Sequence, residues 1–341
     1  MVEQVKRNKK FEVVNPVTNP EHAGGMMKPR HYRLRVAGLV AGIVVAALLL
    51  SSIAVYLAMD IERKDLNDET RAELGGSFVR LTEGVVHYRL EGHVRSPVLV
   101  LLHGGTIPMW TWDLHVPELA SEGFRVLVYD MYGRGFSDRP DLRYSRELYV
   151  HQLGELLDAL RIDEPVHLVG YSFGGAIAVA FATRYPERVL DLVVISPVIK
   201  DYSAPALFRV PLVGEFSARV IGRKRIVSRA EGLLAGTELH DEGMNLYSQQ
   251  MEFRGFQRAL LSFLASDALG DYTEEYTIVG KQNRRTMIIW GAMDDEITLP
   301  LITLVHELLP SAEFHTLEGV GHGVVYKKPQ VVEELLIGFF R

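Results

Sequence analysis

Val166 to Ala182 reads VHLVGYSFGGAIAVAFA, and this stretch decides the fold. A short apolar run (Val166, Leu168, Val169) ends in Gly170-Tyr171-Ser172-Phe173-Gly174-Gly175, and a helix-forming run from Ala176 to Ala182 follows. The order is strand, tight turn, helix, the setting in which G-x-S-x-G carries chemistry. The turn is so sharp that Ser172 must take a strained backbone, and a Cβ at Gly170 or Gly174 would clash across it. The hydroxyl is lifted to the strand tip, where the following helix points its partial positive charge. Taken alone, the motif also fits a glycine-rich turn that merely joins a strand to a packed helix.

The same alternation extends in both directions. Ser77–Leu81 and Val85–Leu90 read as a strand pair turning around Glu83-Gly84. Val98–Leu102, Arg125–Tyr129, Val189–Ile195, Thr286–Trp290 and Glu313–Leu317 read as further strands. Helices are expected at Trp110–Ser121, Leu148–Leu160, Leu301–Leu309 and Gln330–Phe340. The expected fold class is therefore α/β, with a mostly parallel sheet of about eight strands covered by helices on both faces. From about 198 to 285 the alternation breaks down into helix-like pieces rich in Leu207, Phe208, Phe216, Tyr247, Phe256, Phe263 and similar residues. The region reads as a helical cap inserted at the strand ends, or as extra helical packing.

Ahead of this domain (77–341) the chain divides into three parts. Residues 1–35 form a basic, Pro- and Gly-containing tail, 36–59 a candidate transmembrane helix and 60–76 a charged linker. Val36 to Met59 carries no charge and is long enough as a helix to cross about 30 Å of hydrocarbon. A buried core helix or a cleaved signal peptide are the competing readings. Lys28, Arg30, Arg33 and Arg35 precede the run, and the fuller basic tail favours a cytoplasmic N-terminus with the following domain on the far side. Asp60 to Glu73 reads as a solvated spacer or short helix. The net charge of −6 gives no reason to expect nucleic acid as a partner. The absence of cysteine removes disulfides, thiolate metal sites and a cysteine nucleophile. No metal or other cofactor is expected.

A serine hydroxyl needs a base to take its proton, and the base needs an acid to hold its tautomer. After Ser172, Asp294-Asp295 follow one strand and His322, flanked by glycines, follows the next. Either aspartate can serve as the acid in that order. An oxyanion needs two backbone N–H donors. Phe173 offers one, and Gly105, in the loop after Val98–Leu102, the other.

From about Phe78 to the C-terminus the chain resembles the α/β-hydrolase fold superfamily. The similarity lies in LLHGG (Leu101–Gly105), YDMYGRGFSDRP (Tyr129–Pro140), GYSFGG (Gly170–Gly175), WGAMDD (Trp290–Asp295) and GVGHGVVYKKP (Gly319–Pro329). It points to the branch of carboxylesterases, monoacylglycerol lipases, non-haem haloperoxidases and meta-cleavage-product hydrolases. The resemblance implies Ser172 as nucleophile, His322 as base, Asp294 as acid with Asp295 as the fallback, and Gly105 and Phe173 at the oxyanion hole. It gives Asp130 and Arg134 a structural role. Ser172 departs from the aspartate nucleophile of the family's haloalkane dehalogenases and epoxide hydrolases, so an acyl-serine is implied.

The reading that follows is a membrane-anchored serine hydrolase of carboxylic esters with apolar or lipid-like acyl groups. The alternative is a carbon–carbon bond hydrolase of vinylogous diketone acids. That alternative calls for a basic or polar group in the pocket, and the sequence does not place Arg184, Arg209 or Arg254 relative to it. A non-catalytic binding module is the reading from outside enzymology, and the three catalytic residue types together argue against it.

Overall fold

The apolar runs at Val98–Leu102, Val166–Tyr171, Val189–Ile195 and Thr286–Gly291 lie side by side at the centre of one eight-stranded sheet. This is seen in a computed structural model that describes residues 29–200, 210 and 213–341. Most of the basic tail, and Leu207, Phe208 and Arg209, lie outside the described residues. The chain separates into two compact units, Met1–Ala54 and Val55–Arg341. The described part of the first is helix α1 (Pro29–Ala58), which runs on into the second. Within its span from His31 to Ala58 an 18-residue window reaches a mean hydropathy of 2.5, and its aliphatic side chains are exposed.

The second unit begins with α2 (Asp68–Leu74), β1 (Ser77–Arg80), β2 (Val85–Glu91), β3 (Val98–Leu102), α3 (His115–Ser121) and β4 (Arg125–Tyr129). It continues with α4 (Arg146–Ala159), β5 (Val166–Tyr171), α5 (Phe173–Arg184) and β6 (Val189–Ile195). Between β6 and β7 (Thr286–Gly291) come α6 (Val213–Ser217), α7 (Arg223–Leu234), α8 (His240–Gln250), α9 (Phe256–Ala265) and α10 (Thr273–Gly280). The unit ends with α11 (Leu299–Leu308), β8 (Glu313–Leu317), α12 (Val324–Lys327) and α13 (Pro329–Phe340).

The strand order is β1-β2-β4-β3-β5-β6-β7-β8. β1 and β2 join antiparallel, β2 joins β4 antiparallel, and every later pairing is parallel. Side chains alternate across each central strand. Val100, Leu168, Val194 and Ile288 face one apolar cluster, shared with α4 and α5. Leu101, Val169, Val193 and Ile289 face the other, shared with α3 and α13. Burial on both faces is what made these runs continuously apolar.

Two sequence expectations change. The helix expected from Trp110 is a single 3₁₀ turn at Met109–Trp112, and the α-helix starts only at His115. Pro117 explains this, because proline lacks the N–H of a helix interior and is tolerated in the first turn. The stretch Asp60–Glu73 does contain a short helix, α2, capped by the Asn67 side chain accepting from the Thr70 N–H at 2.9 Å. The residues ahead of α2 are pinned to the cap rather than freely solvated. Arg63 and Lys64 donate backbone N–H groups to the Glu252 carbonyl at 2.8 and 2.9 Å.

The loops at the strand tips are held by buried polar groups. Asp130, at the end of β4, accepts from Met109 N–H and Phe136 N–H, both at 2.9 Å, and pairs with His87 Nδ1 at 2.8 Å. Arg134 donates to the Gly105 carbonyl at 2.8 Å. His103 is fully buried; its Nδ1–H donates to the Gly104 carbonyl at 2.6 Å and its Nε2 accepts the Met131 N–H at 3.0 Å. A protonated ring would set an N–H against the Met131 N–H.

Burial lowers the His103 pKa to about 4, against the upward pull of Asp130. The unfolded ring gains its proton near 6.5 and the folded ring only near 4. The stability that depends on neutral His103 is therefore complete above pH 6.5 and declines, by about 3 kcal/mol, as the pH falls to 4. Urea unfolding between neutral pH and about pH 5 is expected to show this slope. His103→Gln, which still offers one donor and one acceptor, is expected to lose it; equal slopes in the two proteins would refute the assignment.

Candidate active site

β5 ends at Tyr171 and α5 begins at Phe173, so the whole reversal falls on Ser172. Its backbone has φ 54° and ψ −117°, a left-handed conformation rare for a residue with a side chain. The chain passes closely enough that a Cβ on Gly170 would collide with the Gly174 carbonyl, and one on Gly174 with the Leu102 carbonyl. The turn is pinned by Ser172 N–H donating to the Ile195 carbonyl at 2.8 Å. The Ser172 carbonyl accepts from Gly175 N–H and Val198 N–H at 3.0 and 3.1 Å.

Three of the expected side chains meet at this point. His322 Nε2 lies 2.9 Å from Ser172 Oγ, and His322 Nδ1 lies 2.9 Å from Asp294 Oδ2. All three are buried. The other Asp294 oxygen accepts from the Glu296 and Ile297 N–H groups at 2.9 Å. Burial pushes the Asp294 carboxyl up, but the bond and charge of His322, with the Ile297 N–H, outweigh it and leave it below the usual range. Asp295 points elsewhere and is exposed. Of the two aspartates open in the sequence, only Asp294 touches the histidine. Such a chain fixes one proton on Nδ1 and leaves Nε2 to accept from the serine hydroxyl.

Gly105 and Phe173 both border a cavity of about 350 Å³ that contains Ser172. Phe173 opens α5, where backbone N–H groups lack helical partners. The cavity is walled by Val198, Ile226, Leu260, Phe263, Leu264 and Leu269. Phe263 packs edge-on against Phe173, ring centroids 4.9 Å apart, with Arg134 over its ring at 4.8 Å. The cap is tied down beside it: Gln250 accepts from Gly135 N–H at 2.8 Å, and Arg139 donates to the Gly135 and Gln250 carbonyls.

Two cations that the sequence did not single out border this cavity. Arg229 donates to Thr106 Oγ1 at 2.8 Å and pairs with Glu296. Arg225 stands exposed at the rim. Arg184 and Arg254, which the sequence left unplaced, lie elsewhere: Arg184 is exposed beside Tyr185, and Arg254 pairs with Asp65 at 2.9 Å. Arg229 and Glu296 also border a second, open cleft of about 330 Å³, lined by His322 together with Asp295, Gly321, Gly323 and Lys327. Glu296 lies 3.7 Å from His322 Nε2. Only a three-dimensional fold brings Arg229 and Lys327 to one cleft, since no local pattern links α7 to α12.

Comparison with known proteins agrees with this fold. Residues 99–335 match the model of the alpha/beta hydrolase family. The chain is 31% identical over 239 residues to 2-hydroxy-6-oxo-2,4-heptadienoate hydrolase of Pseudomonas putida, covering 67% of this chain and 83% of that protein. It is 31% identical over 279 residues to 2-hydroxy-6-oxononadienedioate/2-hydroxy-6-oxononatrienedioate hydrolase of Paraburkholderia phymatum, covering 76% and 91%. Among solved structures, a meta-cleavage product hydrolase from Pseudomonas fluorescens superposes with a TM-score of 0.61 at 25% identity, covering 78% of this chain and 97% of that one. An enol-lactonase from Burkholderia xenovorans shares the fold, with a TM-score of 0.65 at 19% identity over 77% and 99%. Matched over most of its length, the chain belongs to the alpha/beta hydrolase family.

Proposed function

We propose that this chain is a serine hydrolase that cleaves the carbon–carbon bond of vinylogous diketone acids of the meta-cleavage type. Ser172 is the nucleophile, His322 the base, Asp294 the acid, and the N–H groups of Gly105 and Phe173 receive the oxyanion. The observation that carries this reading is that the site borders two unlike cavities, one lined by Ser172 and the other by His322. One is walled by aliphatic and aromatic side chains beside Ser172; the other is charged and open. An acyl-serine keeps the acyl half near the serine, while the half that departs leaves past the histidine that protonates it. The arrangement suits an apolar acyl half and a polar departing half, with exposed Lys327 at the cleft to meet its carboxylate. The named activities of the two relatives support the same choice.

Ser172 Oγ attacks the ketone carbon as His322 takes its proton. Collapse breaks the bond between that carbon and its neighbour. In the keto form of the substrate, the electron pair spreads into the adjoining enone. The proton on His322 returns to the departing half. Water, deprotonated by His322, then releases the acyl group as a carboxylic acid.

A second reading is hydrolysis of carboxylic esters with apolar acyl groups. It uses the same residues and is favoured by the aliphatic wall beside Ser172. We further propose the division into a basic tail (1–35), a membrane-spanning segment (36–59), a linker (60–76) and a catalytic domain (77–341) outside the cytoplasm. The exposed apolar helix supports this; helices of its kind serve as membrane anchors or as signal sequences.

Wild-type protein is expected to take a fluorophosphonate label, and Ser172→Ala, His322→Ala and Asp294→Ala to lose it, with turnover down about 10⁴-fold or more. Asp295→Ala is expected to keep the label. Loss of label in Asp295→Ala with retention in Asp294→Ala would reverse the choice of acid.

The substrate is tested by following dienolate absorbance as a vinylogous diketone acid is consumed, beside a series of alkyl and aryl esters. Lys327→Ala is expected to raise KM for the acid about fivefold with kcat little changed, and to leave KM for its methyl ester alone. Fast turnover of esters with none of the acid would select the second reading. For topology, a reporter active only outside the cytoplasm is expected to work when fused at Arg341. An inactive but intact fusion would refute the orientation.

A further inference from the structure

The segment between the apolar helix and the catalytic domain is built into the cap. The chain enters the second unit at Val55. The Tyr56 ring lies 3.9 Å from the Arg219 guanidinium and stacks on Phe216, and Arg219 reaches Asp60 at 3.1 Å. Glu62 then places both carboxylate oxygens on the start of α9. One accepts from Gly255 N–H and the other from Gln257 N–H, each at 2.7 Å. Arg254 N–H donates to the Lys64 carbonyl at 2.9 Å, answering the bonds that Arg63 and Lys64 make to Glu252. A backbone bonded in both directions, with a carboxylate on a helix N-terminus, is a fixed strap.

The strap lies outside the stretch matched to the family, which begins at residue 99. Beneath it is a void of about 30 Å³, room for roughly one water, bordered by Met59, Ile61, Ala218, Met251 and Phe256. Its remaining wall includes Ile226 and Leu260, and these two side chains also wall the cavity that holds Ser172. Ile226 and Leu260 thus border both the apolar pocket and the void beneath the strap. An apolar chain long enough to displace them would enter that void, which Ile61 lines from the strap side.

We propose that the strap Met59–Glu62 is the end wall of the acyl pocket and limits the length of the apolar half that reacts at Ser172. Ile61 is the stop. Glu62 is a positioning residue: it holds the strap against α9, the helix that carries Leu260 and Phe263 to the pocket. The inference rests on the reading that the apolar cavity takes the acyl half. It holds for ester and carbon–carbon cleavage alike, because both form the same acyl-serine.

The test uses the full chain in detergent or nanodiscs and the second-order rate of labelling by alkyl fluorophosphonates from ethyl to dodecyl. The wild-type rate is expected to fall sharply beyond one chain length. Ile61→Ala is expected to move that fall to longer chains, raising the rate of the first excluded probe about tenfold or more. Arg63→Ala removes an exposed side chain from the same strap and is expected to keep the wild-type profile. Glu62→Ala is expected to blur the cut-off, with Glu62→Gln restoring part of it. An Ile61→Ala profile that superimposes on the wild type overturns the proposal, even if Glu62→Ala fails to fold. Wild type that takes no label at all removes the acyl-serine reading itself, a different result from an unchanged profile.

Discussion

Everything at the site depends on the backbone crossing at Ser172. A strand must reverse into a helix over one residue, with that residue at φ 54°. The strain is held by neighbours that cannot yield: Gly170 against Gly174, Gly174 against the end of β3, and the Ser172 amide bonded to β6. Strain of this kind, of order 1–3 kcal/mol, persists only where surrounding packing over-determines it. The parallel strands on either side, buried along the ends that flank Ser172, supply that packing. The sheet is therefore the part that makes a strained serine at a strand tip sustainable.

A second layer of constraint is electrostatic. The loops that meet at the strand tips carry many backbone N–H groups, and buried N–H groups need partners. Asp130 answers two of them and a histidine, His103 answers a third, and Gln152 accepts from Tyr132 N–H at 2.9 Å. These residues touch neither Ser172 nor His322 in the hydrogen-bond network. They set the path of the loop that brings Gly105 to the cavity. Asp294 works by the same logic one strand pair away, holding its own loop with one oxygen and the histidine with the other.

The strands were legible because burial on both faces leaves a continuous apolar run, and because glycine and proline mark the turns. The expected limits at Val189–Ile195 and Glu313–Leu317 coincide with the strands found. The elbow was legible because its steric demand is local: two glycines and a serine in five residues. The histidine and the acid were legible only as loop residues after successive strands, and the choice between Asp294 and Asp295 required three dimensions. The helix at Trp110 was misread because periodicity was weighed without Pro117. The pocket cations were missed because a cap helix such as α7 has no fixed relation in sequence to the strands it covers. Arg184 and Arg254 had the right charge and the wrong place.

This division between the legible and the hidden has a physical basis. Catalytic chemistry demands short, steric, local motifs, so it leaves a mark on the sequence. Substrate choice depends on which side chains a cap brings over the serine, and many sequences produce a similar wall. The proposed end wall would carry that principle to its limit, since Ile61 belongs to a segment that precedes the whole sheet. A substrate with an apolar acyl half and an acidic departing half is amphiphilic and concentrates at a bilayer surface. On the proposed reading, an apolar anchor ahead of the catalytic unit would hold the enzyme where such a molecule accumulates.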